Sequence, residues 1–145
     1  MRMPTLLVAS ALLTTMSAGC EPSEGNSERP VHCEVIVDAP DEAEKSGKMQ
    51  ARVRFSCDKP GAETLTLKLK LEKKSGEEWH TVSSATHTVK GMDTHASGFD
   101  RQSRQLEVDC ALGSFRTVVD WSRVSRKDTE GDNLVSGVKR DPCKT

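Results

Sequence analysis

Residues 64–72 read Thr64-Leu65-Thr66-Leu67-Lys68-Leu69-Lys70-Leu71-Glu72. Leucines hold every second position, with threonine and lysine between them. Successive side chains of an extended strand point to opposite faces, so this segment has one apolar face and one polar face. Wound as a helix, the same leucines would scatter around the cylinder. The segment predicts a strand whose leucine side is packed against a core.

The pattern continues in both directions. Upstream, Met49, Ala51, Val53, Phe55 and Cys57 alternate with Gln50, Arg52, Arg54 and Ser56, and Val31, Cys33, Val35 and Val37 form a similar row. Downstream, residues 114–124 place Phe115, Thr117, Val119 and Trp121 on one side, and weaker strands are expected at 78–83, 85–90, 105–110 and 134–139. Asp58-Lys59-Pro60-Gly61 and Lys74-Ser75-Gly76-Glu77 supply turn chemistry, and 125–133 reads as a polar, glycine-containing turn. The best helical candidate, 41–45, is too short to stand alone. Seven or eight short strands in residues 31–145 predict an all-β fold, a two-sheet antiparallel sandwich. A small closed β-barrel is the alternative.

The first thirty residues have another character. Arg2 precedes an apolar run through Leu6, Leu7, Val8, Leu12 and Leu13, well short of the ~20 residues of a membrane-spanning helix. Residues 1–19 therefore read as a secretory signal peptide. Ala18-Gly19-Cys20 resembles the lipobox of bacterial lipoproteins, which implies a diacylglycerol group on Cys20. Ser17 stands where that motif usually has leucine, so soluble secretion is the alternative. The stretch after Cys20, EPSEGNSERP, has nothing apolar to bury and reads as a flexible tether with a reach of about 33 Å. The expected organisation is a signal at 1–19, a lipid-anchored tether at 20–30 and a sandwich domain at 31–145. Five cysteines make an odd number. Lipid on Cys20 leaves Cys33, Cys57, Cys110 and Cys143, an even set suited to disulfides outside the cytosol.

From Cys33 to Cys143 the chain resembles the small secreted immunoglobulin-like proteins of actinobacteria, often lipoproteins and mostly of unassigned function. The residues that carry the likeness are the strand closing on Cys57-Asp58-Lys59-Pro60, the Leu65–Leu71 strand with Trp79 beyond its turn, and Cys110-Ala111-Leu112-Gly113-Ser114-Phe115-Arg116. Trp79 comes too late for the usual core tryptophan, and Val108 stands where a tyrosine corner needs Tyr, so antibody-type membership does not follow. Four cysteines allow three pairings. Cys57 and Cys110 each close a strand on its core-facing row, like an immunoglobulin inter-sheet bridge. Cys57–Cys110 is the favoured pair, with Cys33–Cys143 tying the two ends of the domain.

Composition narrows the chemistry. From residue 31 onward acids and bases balance one for one, there is no tyrosine, and aromatics are 3% of the chain. Nucleic-acid binding, which needs excess positive charge and stacking platforms, is not expected. The cysteines lack C-x₂₋₄-C spacing, the histidines lack metal-site spacing, and no G-x-S-x-G elbow occurs. No enzyme activity and no cofactor are expected. The longest aperiodic stretch, 91–104, is the candidate binding loop, with Met92, His95, Phe99, Arg101 and Arg104 as its candidate contacts; the two arginines would grip a carboxylate. The expectation is an extracytoplasmic module that binds a protein of the envelope or exterior and meets the membrane only through its lipid. One alternative is a secreted inhibitor or immunity-type protein. Another is a metal-dependent activity that needs His80, His87 and His95 to converge.

Overall fold

The computed structural model describes residues 29–45, 47–98 and 100–144. The signal at 1–19, Cys20, the tether up to residue 28 and Phe99 lie outside the described residues. Eight strands follow one another: β1 (Cys33–Glu42), β2 (Lys48–Cys57), β3 (Ala62–Ser75), β4 (Glu78–Gly91), β5 (Gln102–Asp109), β6 (Ser114–Ser125), β7 (Asp128–Val135) and β8 (Lys139–Arg140). They form two antiparallel sheets that do not close into a barrel. One has the order β1-β2-β5; the other has β4-β3-β6-β7, with β8 pairing the start of β6. These orders correspond to the A-B-E and C′-C-F-G halves of an immunoglobulin-like Greek key. Among the described residues no helix is long and apolar enough to cross a membrane.

The alternating rows become the core. Leu65, Leu67, Leu69 and Leu71 are fully buried and face Ala51, Val53 and Phe55 of the other sheet, with Phe115 and Val119 beside them. Each buried leucine or phenylalanine contributes about 1.5–3 kcal/mol through area removed from water. That layer holds the sheets together.

Three boundaries differ from the sequence reading. The segments 78–83 and 85–90 are one strand, β4. Leu71 pairs with Ser83 but Glu72 pairs with Thr81, so Val82 is an extra residue bulged out of the ladder. The bulge flips the alternation, which is why one strand reads as two. The expected turn at 125–133 shrinks to Arg126 and Lys127, both with positive φ, in a tight hairpin. The strand expected at 134–139 instead runs from Asp128 to Val135. It is an edge strand exposed along most of its length, so its sequence carries no apolar row.

The disulfide expectation is corrected. The bridges are Cys33–Cys57 and Cys110–Cys143, with Cα separations of 3.9 and 6.0 Å. Both cysteines of the expected Cys57–Cys110 pair close their strands, and β2 and β5 are antiparallel neighbours: Phe55 opposes Gln102 and Lys48 opposes Asp109. Two strand ends of that kind lie at opposite ends of a sheet, about 30 Å apart at the usual rise per residue. Cys33 instead sits directly opposite Cys57, beside the bond from the Asp58 amide to the His32 carbonyl. The upper end of the sandwich thus holds Cys33–Cys57 and Val31, whose amide donates to Ser125 Oγ at 2.9 Å. The lower end holds Cys110–Cys143, where the Cys110 amide donates to the Gly47 carbonyl. Each end carries one covalent clamp.

On the outer face of the first sheet, Arg52 and Arg54 both donate to Asp38, at 2.9 and 2.8 Å. Burial pushes the Asp38 carboxyl upward, but the bonds from Arg54 and Arg52 and their charges outweigh it and hold it below the usual carboxylate range. A lowered folded-state value means stability that is present above the unfolded value and lost as the pH falls through the folded one. Asp38→Asn is expected to lower stability by about 1 kcal/mol near neutral pH, allowing for solvent around the guanidiniums. Urea midpoints of variant and parent should converge as the solution is acidified into that range.

Candidate functional site

The 91–104 stretch lies at the upper end, because Gly91 pairs with Ala62 where β3 begins. The turn Asp58-Lys59-Pro60-Gly61 lies against it and closes with the Gly61 amide donating to the Asp58 carbonyl at 2.8 Å. Gly61 has φ +89°, and a Cβ there would run into the Gly91 carbonyl. This contact requires glycine. Gly91 leads into a 3₁₀ turn, Met92–Thr94.

Hydrogen bonds tie the segment to the sheets. Thr94, fully buried, donates through Oγ1 to the Gly91 carbonyl at 2.7 Å and accepts from the Ala62 amide at 2.9 Å. His95 Nδ1 lies 2.7 Å from the Cys57 carbonyl. A carbonyl only accepts, so Nδ1 donates to it and Nε2 stands outside this bond. The Ala96 amide donates to Ser56 Oγ, and Gln102 Nε2 donates to the His95 carbonyl. The stretch read as an aperiodic loop is therefore braced at several points.

Met92, His95 and Arg101 come together with Lys59, Asp100 and Gln102 around one open surface depression. Met92 is 55% exposed at its rim. Arg101 donates through Nη2 to Glu34 Oε1 at 2.6 Å, while its Nε is buried without a partner among the described residues. Arg104 does not join them. It opposes Val53 on the core-facing side of β5, with its guanidinium 5.5 Å from the Phe55 ring centroid. It closes the edge of the core, so the expected two-arginine grip on a carboxylate does not form.

The histidines also separate. His80 opposes Lys73 towards the lower end; His87 opposes Leu67 midway along β4; His95 sits in the upper loop. Seven strand residues place His80 and His87 about 20 Å apart. Among the described residues no group of three or more His, Cys, Asp or Glu side chains is placed to hold a metal ion. The convergence that a histidine metal site needs is absent. The lysines of β3 separate as well: Lys68 is exposed on the outer face, while Lys73 points to the other side with Nζ 5.6 Å from the Phe115 ring.

Two arrangements escaped the sequence reading. Arg116 stacks on Trp79 at 4.2 Å and donates to Glu72 at 2.8 Å, on the outer face of the larger sheet. Arg123 is buried in the core-facing row of β6 and donates to Asp128 and Glu130, each at 2.9 Å. The second was readable, since 119, 121 and 123 share a phase; the first needs the β3–β6 pairing.

Fold and site together define a disulfide-clamped, immunoglobulin-like β-sandwich with a braced loop and a shallow depression at the end nearest residue 31. No protein-family model matches the chain, and no curated protein matches it in sequence.

Proposed function

We propose that this chain is an exported, lipid-tethered binding module. It is held at the cell envelope through Cys20 and meets a protein partner through the Lys59–His95–Arg101 depression. The observation that carries this reading is the cysteine arrangement: four thiols closed into one bridge at each end, with Cys20 left over behind an apolar leader. Such bridges form and persist in an oxidising compartment. A tether of about 33 Å reach joins at the same end as the depression, which favours a partner that itself lies at the membrane surface.

Intact mass of the membrane-fraction protein tests the anchor: a diacylated chain beginning at Cys20 is expected, and a soluble chain without acyl mass overturns it. Lys59→Glu and Ser97→Arg test the surface, because both side chains are exposed and take no part in bracing the loop. Partner capture from envelope extract should fall at least about tenfold, equivalent to 1.4 kcal/mol, with unchanged melting. The bracing also suits a second reading, a rigid inhibitory loop. Stoichiometric loss of the captured partner's own activity would distinguish it.

A further inference from the structure

The larger sheet ends in β4, which among the described residues pairs only with β3. An edge strand presents a row of unpaired N–H and C=O groups, and proteins usually guard such rows with charges or proline. The other edges here are guarded: β1 carries Asp38 and Pro40, β5 carries Arg104 and Glu107, and β7 carries Glu130 and Asp132. Beyond the Val82 bulge, from Ser83 to Val89, β4 keeps a regular register with β3 and reads Ser-Ser-Ala-Thr-His-Thr-Val, without one charged residue or proline, in a chain that is 30% charged. Ser, Thr and Val suit cross-strand pairing.

We infer that β4 is a self-pairing edge through which two copies of this chain join their larger sheets antiparallel about a two-fold axis. Self-complementarity points to a second copy. An axis through His87 sets that residue opposite its own copy in the partner. The same register sets Thr86 against Thr88 and Ser84 against Lys90, so no Asp, Glu, Lys or Arg opposes its like. Such a contact is isologous, and it closes at two copies. The inference is independent of lipid attachment and of the partner surface.

Sedimentation velocity of the full-length protein near pH 7.5, at concentrations spanning the micromolar range, tests it. A monomer–dimer equilibrium is expected, with hydrogen-exchange protection at residues 82–90 rising with concentration. Thr86→Lys places an exposed charge beside the axis and is expected to weaken dimerisation at least about tenfold, or 1.4 kcal/mol. The variant's melting temperature serves as its folding control. A parent that stays monomeric throughout overturns the inference, as does a folded Thr86→Lys variant that dimerises like the parent, or association without added protection at 82–90.

Discussion

Replacing Cys33 and Cys57 by serine is expected to cost about 3 kcal/mol, and replacing Cys110 and Cys143 about the same. The bridges span sequence separations of 24 and 33 residues. Loop-closure entropy grows only with the logarithm of length, so the two should be nearly equal. A small domain has about 5–15 kcal/mol of stability in all, so losing both removes much of it. The informative variant is Cys57→Ser with Cys110→Ser. It breaks both bridges and leaves Cys33 and Cys143 at opposite ends of the sandwich, unable to pair. Thermal melts should place it with the fourfold serine variant and far below either single-bridge deletion. A melting temperature that matches a single-bridge deletion would mean that Cys57 and Cys110 pair with each other.

The second large effect concerns Arg123. Its side chain is 2% exposed, whereas Asp128 and Glu130 are each about half exposed. The members of this cluster are therefore unequal. Asp128→Asn with Glu130→Gln leaves a buried guanidinium without an opposing charge, which is expected to cost about 3 kcal/mol. Arg123→Met leaves two carboxylates that water can still reach and fills the same space with apolar atoms. Its expected cost is near zero, because the desolvation penalty of the buried guanidinium goes with it. Urea midpoints of the two variants, measured at one pH, give the ordering. A larger loss for Arg123→Met would mean that the ion pairs stabilise the fold in their own right.

How much of this was legible follows from what each residue has to satisfy. Leu65 to Leu71 and Met49 to Cys57 lie in central strands with one buried face, so burial alone dictates their alternation, and the sandwich was readable from them. β7 was not readable, because an exposed edge imposes no apolar period on Asp128 to Asn133. Val82 hid the continuity of β4 by shifting its phase. The cysteine pairing failed for a different reason. Cys57 and Cys110 hold equivalent places at the ends of their strands, and neighbouring antiparallel strands put equivalent ends far apart. Within the candidate site, Met92, His95 and Arg101 were found as members of one loop. Their gathering around Lys59 depends on the Gly61–Gly91 approach, a contact between segments distant in sequence. Arg104 was misplaced because a charged residue in a strand can still lie on the core-facing row when that strand is at an edge.

The position of the clamps has a mechanical consequence. Cys33 is the first residue of β1, and it is bonded to the last residue of β2. A pull on the preceding segment is passed through sulfur to Cys57, so β1 cannot be peeled away like a zip. The other bridge likewise shunts load from Cys143 to Cys110. Only the backbone between Cys57 and Cys110 can pay out, about 180 Å at full extension, against about 370 Å for the same span with both bridges reduced. Single-molecule stretching between the termini should show that shorter contour length, and its doubling on reduction.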